Sequence, residues 1–78
     1  MVDDSQYKEI IEYLKEARLD LENVEDILKD KIKKIRANLD ENPDEELADK
    51  LEFLRSKLED IEDIIGMIED IILDLQDS

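Results

Sequence analysis

The sequence predicts an all-α fold: an antiparallel two-helix hairpin, coiled-coil-like in its packing, that dimerises into a four-helix bundle. Three observations lead there. Apolar residues recur at steps of three and four along almost the whole chain, the spacing of one face of a helix. A single Gly and a single Pro among 78 residues leave few places to interrupt a helix. The densest run of turn-forming residues, Asn38-Leu39-Asp40-Glu41-Asn42-Pro43, falls near the middle. The expectation is one domain over residues 1–78, with helix one at about 4–39, a turn at 40–42 and helix two at about 43–76.

Helix one follows the series Tyr7, Ile10, Ile11, Leu14, Ala17, Leu21, Val24, Leu28, Ile32, Ile35, Leu39. Its start has a mechanism: Asp3 as N-cap with Gln6 three residues on, and Val2 with Tyr7 as a hydrophobic staple. Lys33, Lys34 and Arg36 near its end suit the negative end of the helix dipole. At the turn, Asn42 reads as the next N-cap, Pro43 as the first helical residue and Glu45 as the partner that completes a capping box. Helix two then runs Leu47, Leu51, Leu54, Leu58, Ile61, Ile65, Ile68, Ile72, Leu75, alternating steps of four and three, which is a heptad repeat.

A short loop makes the helices antiparallel. With Tyr7, Leu14, Leu21, Leu28 and Ile35 at a, and Ile10, Ala17, Val24 and Lys31 at d, the facing residues of the two helices have numbers that sum to 82. That register sets Ala17 against Ile65 and Val24 against Leu58, and brings Arg18 near Glu62 and Glu25 near Arg55. Lys31 and Asn38 are then polar residues at d positions near the loop, where they snorkel or fix register.

Two helices alone bury little, and a lone core below about 70–80 residues is marginal. The apolar surface also spreads beyond a and d, through Ile11, Ile32 and Leu39 on one flank and Tyr13 and Ile27 on the other, with Ile64 and Ile71 on helix two. A stripe that wide serves a helix with two neighbours. The expected homodimer interface is Ile11, Tyr13, Ile27, Ile64 and Ile71. In element count and short turn the chain resembles the plasmid RNA-binding hairpin dimers of the Rop type. The resemblance is architectural only, without a shared functional motif, and the acidic surface is unsuited to RNA.

Charge carries most of the functional information. The chain has 25 Asp and Glu against 11 Lys and Arg, a net charge of −14. Residues 27–57 hold eight bases and eight acids, so the whole excess lies in residues 1–26, at −6, and 58–78, at −8, where the termini meet. Asp70, Asp74 and Asp77 crowd the negative end of the second helix dipole, each at a cost of about 0.3–1 kcal/mol at low salt. Thirteen of the acids are Asp, a poorer helix former than Glu. Stability alone would not select this arrangement.

Its functional reading is a non-catalytic acidic binding protein, of the kind that mimics DNA in phage anti-defence proteins, with carboxylates standing in for phosphates and opposite charge steering capture. The partner is then a basic, nucleic-acid-binding protein. The expected surface is Glu59, Asp60, Glu62, Asp63, Glu69, Asp70 and Asp74, helped by Glu9, Glu12, Glu16 and Asp20. The alternatives are a structural or adaptor bundle, natural or designed, that takes a partner through its apolar face, and an acidic face that only aids solubility. Leu19, Phe53, Met67 and Leu73 fall on outer faces, and Gly66, Met67 and Leu73 form one possible contact stretch.

Several chemistries are set aside. With no Cys and no His, disulfides, zinc sites, catalytic triads and di-iron Glu-x-x-His pairs are excluded. Carboxylate pairs such as Glu9/Glu12, Glu22/Glu25, Glu59/Glu62 and Glu59/Asp63 match Mg²⁺-holding spacings, but 25 acids produce such spacings by chance and no basic pocket accompanies them. No enzyme activity and no cofactor is expected. Repulsion by phosphates argues against direct contact with nucleic acid or anionic lipid, and the run Lys29, Lys31, Lys33, Lys34, Arg36 is balanced by Glu46, Asp49 and Glu52. No apolar stretch exceeds three residues and the N-terminus lacks a signal-peptide pattern, which gives the expectation of no membrane span and a cytoplasmic location.

Overall fold

A computed structural model describes the backbone of residues 4–77 and the side chains of residues 7–77. It contains two α-helices, α1 (Asp4–Glu41) and α2 (Glu45–Asp77), packed along their length as a hairpin. The Asp3–Gln6 cap and the Val2–Tyr7 staple lie outside the described residues. No helix among the described residues is long and apolar enough to cross a membrane.

The turn differs from the expected one by two residues. The Asn42 N–H donates to the Asn38 carbonyl at 2.9 Å, continuing the hydrogen-bond ladder of α1. Asn42 therefore closes the first helix instead of capping the second. Asp44 is the cap: its Oδ1 accepts the Glu46 N–H at 3.0 Å, and its carbonyl accepts the Ala48 N–H at 3.0 Å. A carboxylate is the stronger acceptor and complements the positive helix end, which Glu45 and Glu46 reinforce. Because α1 runs on to Asp40 and Glu41, Lys33, Lys34 and Arg36 stand short of its last turn.

In α2 the inward residues are those of the expected heptad, Leu47, Leu51, Leu54, Leu58, Ile61, Ile65, Ile68, Ile72 and Leu75. In α1 the seam is rotated. Tyr7, Leu14, Leu21, Leu28 and Ile35 face inward as expected, but their companions are Ile11, Arg18, Glu25, Ile32 and Leu39, while Ile10, Ala17, Val24, Lys31 and Asn38 are exposed. Near the loop this choice turns Ile32 and Leu39 inward in place of Lys31 and Asn38, burying the first and half-burying the second. Each buried aliphatic side chain favours it by about 1.5–3 kcal/mol, more than the exposure of Ala17 and Val24 costs. Arg18 and Glu25 occupy the middle of the seam as a consequence. Half-buried there, they pair along α1 itself, Arg18 with Glu22 at 3.6 Å and Glu25 with Lys29 at 3.8 Å. These same-helix pairs replace the cross-hairpin pairs to Glu62 and Arg55.

Pairing across the hairpin moves with the turn. Centring the turn on Pro43 brings level those residues whose numbers sum to about 86, four more than expected. The clefts between the helices agree: Lys31 and Ile35 share one with Lys50 and Leu54, and Ile11 shares another with Leu75.

The resulting rod measures 64 × 14 × 13 Å with a radius of gyration of 17.9 Å, against about 11–12 Å for a compact chain of this length. Its accessible surface is 6274 Å², whereas a compact monomer of this mass exposes about 4,900 Å². Only Ile32, 8% exposed, and Ile72, 4% exposed, are buried among the described residues.

Candidate binding faces

The seam divides the surface of the rod into two long flanks. On one, α1 contributes the series 10, 13, 17, 20, 24, 27, 31, 34 and α2 the series 50, 53, 57, 60, 64, 67, 71, 74. That both series open to the same side follows from the cleft lined by Lys31, Lys34, Lys50 and Phe53 over Ile35 and Leu54. In the half toward the termini this flank is apolar, with Ile10, Tyr13, Val24, Ile27, Ile64, Met67 and Ile71 all exposed. In the half toward the turn it is basic, with Lys31, Lys34, Lys50 and Lys57 exposed around Phe53. The Lys57 ammonium lies 5.2 Å from the Phe53 ring centroid, a cation–π contact.

The opposite flank is acidic. Glu22 and Glu25 from α1 and Glu62 and Glu69 from α2 line one shallow groove, floored by Ile65 and Gly66. Gly66 leaves a gap there: a Cβ added to it would meet nothing within 4 Å. Toward the termini the groove continues between Glu12 and Gln76, where Lys8 and Lys15 partly neutralise it. Toward the turn Glu52 and Glu59 line it with Arg55 and Ser56.

No family model, curated protein or solved structure matches the chain.

The two flanks redistribute the residues expected to form the acidic surface. Glu12, Glu59, Glu62 and Glu69 lie on the acidic flank. Glu9, Glu16, Asp63 and Asp70 are exposed on the outer backs of the helices, away from the seam. Asp20, Asp60 and Asp74 belong to the apolar–basic flank, where Asp60 meets Lys57 at 3.8 Å. The eleven expected residues therefore do not converge on one surface. Glu22 and Glu25 do join the acidic groove, and their omission has a plain cause. With α1 in the expected rotation Glu25 reads as a flank partner of Arg55, so its closeness to Glu62 is invisible.

Of the expected dimer interface, Tyr13, Ile27, Ile64 and Ile71 share the apolar half of one flank, while Ile11 sits in the seam of the hairpin. Met67 belongs with the apolar flank, and Gly66 lines the acidic one, so the stretch Gly66, Met67, Leu73 is divided between two sides. Among the described residues no group of three or more His, Cys, Asp or Glu is arranged to hold a metal ion. What the acidic groove offers is acceptors for charge-assisted hydrogen bonds from Arg and Lys: carboxylates from both helices, with Glu62 and Glu69 exposed and Glu22 and Glu25 half-buried.

Proposed function

We propose that the chain is a non-catalytic, acidic binding protein of the cytoplasm, dimerising through its apolar flank into a four-helix bundle and presenting its acidic flank to a basic protein surface that otherwise holds nucleic acid. The observation that carries this reading is the groove shared by Glu22, Glu25, Glu62 and Glu69. Carboxylates from two helices face one opening, and the nearby cations Arg18 and Lys29 leave the set net negative. Carboxylates carried on continuous helices keep a set order along the groove, so a basic partner has less of the chain to order on binding. The long-range field of the −14 chain raises the association rate.

The test is capture from a bacterial lysate with a salt gradient and DNA as competitor. The expected result is a nucleic-acid-binding protein that DNA displaces, whose affinity falls steeply with salt. Glu62→Lys with Glu69→Lys should abolish that capture at unchanged helicity. Capture that ignores salt and DNA but fails when Ile64 becomes polar would favour the adaptor reading, for which the exposed apolar flank is the specific support.

A further inference from the structure

The apolar–basic flank has a polarity along its length that determines how two copies pack on it. Resting on the reading of the chain as a dimer, we propose that the occupant of this flank is a second copy of the chain and that the two hairpins lie antiparallel, each turn beside the other's open end.

The area fits a self-interface. A flank 64 Å long and about 13 Å wide projects about 800 Å², the contribution each partner makes to a standard stable interface. The seven exposed apolar residues on it exceed what a soluble monomer carries in one patch. Two-fold symmetry then leaves two ways to stack the flank on itself over its whole length.

Charge separates them. The turn half of the flank carries Lys31, Lys34, Lys50 and Lys57, with Glu41 and Glu46 at its tip; the open half carries Asp20 and Asp74, and Asp60 lies near the middle. A parallel dimer sets four lysines against the same four lysines and stacks both open ends, so that both copies' −14 gathers at one end. An antiparallel dimer sets the lysines of each copy against the apolar and aspartate-bearing half of the other. Counted from Pro43, α2 ends at Asp77, 34 residues out, and α1 begins at Asp4, 39 out; Lys31 stands 12 residues out and Asp20 stands 23 out. Antiparallel overlap over the length of the α2 arm therefore brings Lys31 of one copy about level with Asp20 of the other.

Phe53 supports the same arrangement independently of charge. It is 60% exposed, in a cleft shared with Lys31, Lys34 and Lys50 over the seam residues Ile35 and Leu54. It stands 10 residues from Pro43, and Ala17 and Met67 stand 26 and 24. Antiparallel overlap places the ring between a small residue and a thioether, a favourable aromatic–sulfur setting. Parallel overlap leaves it against its own copy inside eight lysines. Near the midpoint, Val24 of one copy comes level with Ile27 of the other in the antiparallel arrangement.

Two measurements test this on the full chain. The chain has no Cys, so Asn42→Cys carries a single spin label in the turn. With a dimer by light scattering, the expected turn-to-turn distance is about 50 Å, the length of a helix of this size. A dimer with a distance of about 20 Å or less overturns the antiparallel arrangement and leaves dimerisation standing; a one-chain mass at all concentrations overturns both. The second is a charge exchange. Lys31→Asp should weaken dimerisation about tenfold, since each contact occurs twice, and adding Asp20→Lys should restore it. Failure of the second change to rescue the first, at unchanged helicity, overturns the register.

Discussion

The two flanks are built from the same two helices and border the same seam, yet they meet water very differently. The acidic flank is lined by the charged groups Glu22, Glu25, Glu62 and Glu69, the last two exposed. The other exposes Ile10, Tyr13, Val24, Ile27, Ile64, Met67 and Ile71. Among the described residues the seam between them buries only Ile32 and Ile72, at 8% and 4% exposure. Two helices side by side can shield a strip a few ångströms wide and no more, so the apolar flank stays open to water on a single chain. Under the proposed reading, the apolar flank holds two copies together and the acidic flank meets a basic partner.

The largest expected effect tests that separation directly. Ile64→Lys with Ile71→Lys should abolish the dimer, remove the concentration dependence of thermal unfolding and lower the midpoint by more than about 10 °C, several kcal/mol at about 4–8 °C per kcal/mol. Glu62→Lys with Glu69→Lys should leave mass and helicity unchanged and raise the midpoint slightly, because net charge falls in magnitude from −14 to −10. Equal losses from both pairs would break the comparison.

Next in size are seam truncations. Ile72→Ala or Ile32→Ala should cost about 2–4 kcal/mol in urea unfolding, since both are almost wholly buried. Leu73→Ala, one residue on from Ile72 but exposed, should cost less than about 0.5 kcal/mol.

A stabilising change sharpens the picture of the acidic groove. Gly66 is helical, and a Cβ there meets nothing within 4 Å. Gly66→Ala should therefore stabilise the protein by about 0.8–1 kcal/mol. If it also weakens binding of a basic partner, the gap in the groove floor is part of the recognition surface.

How much of this was legible in the sequence differs between the helices for a physical reason. In α2 one stripe of Leu and Ile fits a 4–3 repeat and no other stripe competes, so the seam can be read straight off. In α1 two stripes share Tyr7, Leu14, Leu21, Leu28 and Ile35. One adds Ile10, Ala17 and Val24, the other Ile11, Ile32 and Leu39. The first has better residues toward the termini, the second toward the turn, and periodicity does not rank them. The second wins on buried area at Ile32, and it carries Arg18 and Glu25 into the seam. The acidic groove was half legible: Glu62 and Glu69 followed from charge density, whereas Glu22 and Glu25 needed the rotation of α1. The composition of the two flanks could be counted, but which residues share a flank depends on the register.

That register rests on a small group at the turn. Asn42-Pro43-Asp44-Glu45 offers two overlapping caps, and the structure uses the later one, with the Asp44 carboxylate on the Glu46 N–H at 3.0 Å. Moving the turn centre by two residues moves the pairing of the helices by four, more than half a heptad. Asp44→Ala should accordingly cost about 0.5–1 kcal/mol, and Asn42→Ala only a few tenths, measured as the change in urea midpoint. The reverse ranking would return the cap to Asn42 and the pairing sum to 82. That pairing would carry Arg18 and Glu25 back out of the seam and return Lys31 and Asn38 to it.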